Sequence, residues 1–239
     1  MTTARATARP QQERLPESDE RQQREERILE AAANLLVRQG YRKTTIEDVA
    51  REAIVGKGTI YLHWKDKNEL FRAAIWREEQ RYLEEIKRRI AADPEGGLLH
   101  RVTTHSMMAL LDYPLMAAMF TGKADIFNGM MGAVGPTFID QIVADTDAYL
   151  VQLQQAGLIR SDLPAPIITY LMTALKLGVI YLPELIGQKH MPAMEPLTEA
   201  ASDLIRRWLE PERLPSDTAA GKQSFIELLE KVKEPEERV

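Results

Sequence analysis

Residues 57–64 read KGTIYLHW. Lys57 offers a charged donor, Thr59 and Tyr61 offer hydroxyls, His63 a ring nitrogen and Leu62 an apolar end. Gly58 offers no side chain at all. On a helical wheel at about 100° per residue, Ile60 and Trp64 fall together, whereas Gly58, Thr59 and Leu62 point away from them. Tyr61 and His63 flank on opposite sides. One face is core. The other is a surface on which Gly58 lets a backbone approach closely. A lysine can donate to guanine O6 or N7, a leucine can meet a thymine methyl, and a tyrosine hydroxyl can donate to a phosphate. That chemistry fits a DNA groove; a helical hairpin with a solvated face is the plain alternative.

The elements that must position these groups are short and well punctuated. Ile28, Leu29, Ala32, Leu35 and Leu36 recur at three and four, and Gly40 ends the run. A second helix starts at Thr45, an N-cap with Asp48 three residues on, and buries Ile46, Val49, Ala50 and Ala53. Ile54, Val55 and Gly56 interrupt, and the 57–64 helix follows. Asp66 caps a fourth helix, with Glu69 at its third position, that runs to about Ile90. Two helices joined by a tight three-residue turn form a helix-turn-helix, whose second helix enters the major groove.

The stretch ILEAAANLLVRQGYRKTTIEDVAREAIVGKGTIYLHWKDKNELF resembles the N-terminal domain of TetR-family transcriptional regulators. The resemblance covers about 50 residues and little of residues 98–239. It implies that Lys57, Gly58, Thr59 and Leu62 approach bases, and that Thr45, Tyr61, His63 and Lys67 contact phosphates or adjoining edges. It implies a homodimer on a palindromic double-stranded operator, repression as the usual mode of control, a small effector bound in the second domain, and a cytoplasmic protein. The turn departs from the family pattern, which reads Gly-Val-Ser. Either Ile54 takes the left-handed conformation, at a cost on the order of 1–2 kcal/mol, or Gly56 takes over part of the turn.

Composition narrows the rest. The 239 residues carry a net charge of −5 and no cysteine, which excludes disulfides, thiol nucleophiles and cysteine-built metal sites. Charge is uneven: residues 1–90 hold 19 Lys and Arg against 16 Asp and Glu, and residues 91–239 hold 12 against 20. An acidic total does not exclude DNA, because phosphate affinity depends on a local patch. Residues 1–20 read as a disordered polar arm without the apolar centre of a signal peptide. Arg5, Arg9 and Arg14 of that arm are candidates for the minor groove.

The expected fold is all-α. A three-helix DNA-binding domain spans 21–67, a connecting helix 68–90, and a ligand-binding and dimerisation domain 98–210. That makes about nine helices, plus a short C-terminal helix in an extension over 211–239. Helices are expected near 98–111, 114–120, 124–131, 136–156, 164–186 and 194–209, with AADPEGG (91–97) as the boundary. The 164–186 segment is apolar around most of its circumference. Because Pro166, Thr169, Thr173 and Lys176 interrupt it, it reads as a buried or interface helix rather than a membrane span. Paired with 194–209 it would form a four-helix dimer interface.

Six of the ten methionines fall between 107 and 131. Adaptable methionine beside aromatic residues suits a pocket for largely apolar molecules. The candidate lining is Met107, Met108, Leu111, Met116 and Met119, followed by Phe120, Phe127, Met131 and Phe138, and Lys176; Lys123, Lys176 or a histidine is the candidate anchor for a single acid group. Ordinary core packing is the alternative for each residue. His100 and His105 read as structural or solvated histidines. No cofactor or metal is expected, and no His-Glu-x-x-His, Gly-x-Ser-x-Gly or phosphate loop supports the competing readings of an all-helical enzyme or scaffold.

Overall fold

A computed structural model describes residues 17–120, 136–215 and 218–233. Every regular element among them is helical. The order is α1 (Glu17–Lys43), α2 (Ile46–Glu52), α3 (Lys57–Tyr61), α4 (Lys67–Ala92), α5 (Leu99–Asp112), α6 (Pro114–Phe120), α7 (Pro136–Gln155), α8 (Ala165–Ile186), a 3-10 turn (Gln188–His190), α9 (Met194–Leu209) and α10 (Ala219–Lys233). The helix expected near 124–131 lies outside the described residues.

The head is built from α1 to α3 and the start of α4. Gly40 breaks α1 at φ 77°, and Tyr41–Lys43 add a last turn beyond it. The buried Thr44 hydroxyl donates to the Gly40 carbonyl at 2.8 Å and holds that bend. Ile28, Ala32 and Leu36 from α1 meet Val49, Ile60, Leu70 and Phe71, all buried. The two caps read from the sequence are formed. The Asp48 amide donates to Thr45 Oγ1 at 3.2 Å while the Thr45 amide donates to Asp48 Oδ2 at 3.0 Å. Asp66 accepts from the Glu69 amide at 2.9 Å.

α4 runs from the head into the body. At its N-terminal half it packs on α1, and further along on α5 and α10. Arg77 joins it to α1: its buried guanidinium donates to the Glu26 carbonyl at 3.0 Å and to Glu30 at 2.6 Å. At the far end Asp93 accepts from Arg101 Nε at 2.6 Å and pairs with His105 Nε2 at 2.7 Å, both on α5. Burial opposes ionisation of this carboxyl, but the His105 and Arg101 hydrogen bonds outweigh it and hold the pKa at about 2. His100, also on α5, sets its amide and Nδ1 against Glu210 at 2.9 Å, tying α5 to the end of α9. Both histidines thus have carboxylate partners rather than solvent.

The described part of the C-terminal extension is docked on the body. α10 packs against α7 and α4. Phe225 and Leu229 are buried, and the Phe225 ring lies 5.5 Å from that of Tyr149. Lys222 donates to the Asp93 carbonyl at 2.8 Å, capping the end of α4. No helix among the described residues is long and apolar enough to cross a membrane.

Candidate nucleic-acid interface

The turn between α2 and α3 sets the site. The Val55 amide reaches back to the Ala50 carbonyl at 2.9 Å and the Ile54 amide to the Arg51 carbonyl at 3.3 Å. This double closure requires a left-handed residue just past the helix end, normally glycine. Ile54 fills that place at φ 56° with its side chain 89% exposed. Of the two conformations left open by the sequence, the strained one is adopted. Gly56 has an extended backbone (φ −72°, ψ 144°) and serves as the N-cap of α3 without a side-chain bond.

From that cap α3 presents the two faces expected of it. Ile60 and Trp64 are buried. Lys57, Gly58, Tyr61 and Leu62 are exposed, with Leu62 at 80%, and a Cβ on Gly58 would meet nothing within 4 Å. Thr59 is half-buried at the edge of this face. Thr45 is exposed at the start of α2 with its hydroxyl donated to Asp48 at 2.6 Å. Lys57 pairs with Glu47 of α2 and lies 5.8 Å from the Tyr61 ring centroid. The Glu47 hydrogen bond raises the Lys57 pKa.

Two residues expected at phosphates or adjoining edges are held by partners within the protein. The His63 side chain is only 8% exposed; its ring lies 5.2 Å from that of Trp64 and its Nδ1 is 3.6 Å from Glu25. Packing against the indole and the α1 carboxylate draws it in. Lys67 is half-buried: its ammonium donates to the Tyr41 carbonyl at 2.6 Å and lies 4.3 Å from the Tyr41 ring centroid. A free carbonyl at the end of α1 and an aromatic face together outcompete solvent for this cation, and desolvation lowers its pKa. Arg5, Arg9 and Arg14 lie outside the described residues. Glu47, one residue past the inward Ile46, is exposed on the outer side of α2, and local spacing alone does not join it to Lys57.

The body contains part of the candidate effector lining. Met107 and Met116 are buried, Met108 and Met119 half-buried, and Leu111 is exposed. Among the described residues the contiguous core takes in Met116 but not Met107. Lys176 is half-buried on α8, where desolvation lowers its pKa to about 8. Lys123, Phe127 and Met131, and the side chains of Phe120 and Phe138, lie outside the described residues. A hollow of about 480 Å³ lined by Glu30, Glu78, Arg81, Glu85, Asp112 and Tyr113 is polar, unlike the lining expected for an apolar ligand. α8 also carries an exposed apolar stripe: Ile167, Leu171, Leu177, Tyr181, Leu182 and Leu185. Among the described residues no three His, Asp or Glu side chains gather as metal ligands.

Comparison with known proteins bears on the head and on the fold. Residues 28–74 match the model of bacterial regulatory proteins of the tetR family. An uncharacterized HTH-type transcriptional regulator of Bacillus subtilis, YhgD, is 36% identical over 91 residues, which make up 38% of this chain and 46% of that protein. The chain thus spans about half the length of this curated relative. The fatty acid degradation regulator FadR from Bacillus halodurans superposes with a TM-score of 0.60 at 16% identity, covering 76% of this chain and 94% of that one. The SmeT–triclosan complex superposes with a TM-score of 0.60 at 18% identity, covering 82% and 97%. The overall fold is that of these solved structures, and within it residues 28–74 carry the match to the tetR family.

Proposed function

We propose that the protein is a homodimeric, sequence-specific DNA-binding transcriptional regulator: a repressor released from a palindromic operator by a small, largely apolar effector. The observation that carries this reading is the outer face of α3. Lys57, Gly58, Tyr61 and Leu62 are exposed together on a helix whose other side is locked by Ile60 and Trp64. Lys57 and Leu62 have the chemistry to read base edges. Tyr61 has a hydroxyl for a phosphate, a contact that positions without specifying, and Thr45 is exposed at the start of α2 but must release Asp48 before its hydroxyl can donate to one.

The apolar stripe on α8 supports dimerisation, because contiguous exposed apolar surface marks an interaction site. Leu204 of α9 is exposed as well and is a candidate for the second helix of a four-helix contact. The effector reading rests on Met107, buried outside the contiguous core, and on its methionine neighbours. A structural neighbour that binds triclosan lends it support. Lys176 is a candidate anchor for a single acid group.

α4 is the natural transmitter. At about 1.5 Å per residue its 26 residues span roughly 39 Å, from the head, through Arg77, to the Asp93 cluster. An effector that displaces α5 shifts α4 through Arg101 and His105 and thereby changes the spacing of the two heads. A coupling of about 1–3 kcal/mol is typical of such linkage.

The test is release from DNA. A duplex selected by the protein is labelled, bound, and titrated with apolar compounds and with polar metabolites such as sugars and nucleotides. Release by apolar compounds alone is expected. Release by a polar metabolite, with none by apolar compounds, would overturn the effector reading and return the methionines to ordinary core.

A further inference from the structure

We propose that Glu47 is a specificity-determining residue of the DNA-facing surface, reading a cytosine amino group beside the guanine read by Lys57. This rests on the DNA-binding reading given above. Glu47 lies in the first turn of α2, and its carboxylate accepts from the Lys57 ammonium across the helix-turn-helix; the two side chains are 57% and 48% exposed. The contact draws the Glu47 pKa down.

The carboxylate has little structural work. α2 is capped by Thr45 and Asp48, and Asp48 also holds Arg51. Glu52 is committed to Arg38. Glu47 alone among these acids is paired with a residue of α3.

A carboxylate on a surface that meets phosphates is a liability unless a donor awaits it. Ionised Glu only accepts, and Lys only donates. In the major groove guanine presents acceptors at N7 and O6, thymine an acceptor at O4, adenine a donor at N6 beside its N7 acceptor, and cytosine a donor at N4 with no acceptor beside it. Glu47 therefore fits cytosine and is repelled by guanine and thymine edges, whereas Lys57 fits guanine. The pair opens against a matched cytosine and guanine, each charge exchanging its partner for a base. Against a mismatched step the carboxylate faces acceptors or phosphates, and closing back onto Lys57 removes the ammonium from the groove. Glu47 thus favours one sequence and weakens binding to all others.

Site selection from a random duplex pool tests this with the full-length protein, Glu47→Ala and Glu47→Gln, each first checked by thermal unfolding. The wild-type motif is expected to hold a cytosine in each half-site. Glu47→Ala loses that preference by about tenfold, the scale of one base contact. It also binds unrelated duplex about fivefold more tightly at low salt, since repulsion between exposed charges is then least screened. Glu47→Gln shifts the position toward adenine, which an amide can bind through N6 and N7. A motif kept unchanged by both variants overturns the assignment, whatever happens to non-specific affinity. A wild-type protein that selects no motif instead overturns the DNA-binding reading itself, so the two failures are distinct.

Discussion

Gly221 of α10 stands against Gly97 so closely that a Cβ on Gly221 would come within 2.2 Å of the Gly97 carbonyl oxygen. The same holds in reverse: a Cβ on Gly97 would lie 2.1 Å from the Thr218 carbonyl oxygen. Backbone cannot yield as a flexible side chain can. Gly221→Ala is therefore expected to undock the start of α10, at a cost of about 1–3 kcal/mol, the usual range for overpacking. In a chain of this size that lowers the melting temperature by several degrees, at roughly 2–4 °C per kcal/mol. Thermal unfolding checks it, and an unchanged melting temperature would mean that α10 does not sit on the 93–98 loop.

Gly58 is the opposite case. A Cβ there meets nothing within 4 Å in the protein. Alanine is the better helix former by about 1 kcal/mol, so Gly58→Ala is expected to leave stability equal or slightly raised. Its methyl would instead stand between α3 and the DNA. Affinity for the selected duplex should fall while the melting temperature does not. A variant that binds as tightly as the wild type would show that the backbone at Gly58 does not approach DNA.

Ile54 costs the fold something it does not recover in contacts. Its φ is 56° and its side chain is 89% exposed. Ile54→Gly should stabilise the protein by roughly 1 kcal/mol, partly offset by the greater freedom of glycine in the unfolded chain. Denaturant unfolding measures the difference. A marked loss of stability would be incompatible with a left-handed, unpacked isoleucine.

Acid should loosen the junction of α4 and α5. The Asp93 pKa is about 2 in the folded protein against an ordinary value of 3.8. A depressed folded-state value means that the contribution is present above the ordinary pKa and lost as pH falls through the folded one. The loss therefore falls between pH 4 and pH 2. Asp93→Asn should lower stability at neutral pH and flatten the acid limb in that window. Melting temperatures from pH 7 to pH 2 for both proteins decide it; parallel curves would remove Asp93 from the junction.

The parts legible in the sequence were those written by local spacing. Thr45 with Asp48, and Asp66 with Glu69, are cap signals three residues apart, and the structure forms both. Ile60 and Trp64 are four apart on one helix face and both are buried. What local spacing cannot carry is the meeting of distant segments. His100 finds Glu210, 110 positions away, and Gly97 finds Gly221. The family resemblance implies phosphate or edge contacts for His63 and Lys67, but the Glu25 carboxylate and the Tyr41 carbonyl that hold them lie on α1 and come near only through tertiary packing. The conformation of Ile54 stood between two alternatives because its residue type opposed the turn that its neighbours require.

The most direct measurement is a cleavage-protection footprint of the purified protein on a duplex that it has itself selected. Two α3 faces in a symmetric dimer should protect two half-sites in inverted repeat, their centres about one helical turn or a multiple of it apart, near 34–36 Å per turn. Tyr61→Phe should weaken both half-sites without altering the sequence preferred, whereas Lys57→Ala should alter the preference itself. A footprint with no sequence dependence, or a sequence-specific one that survives Lys57→Ala and Leu62→Ala together with its preference intact, would contradict the assignment of the α3 outer face as the surface that reads DNA.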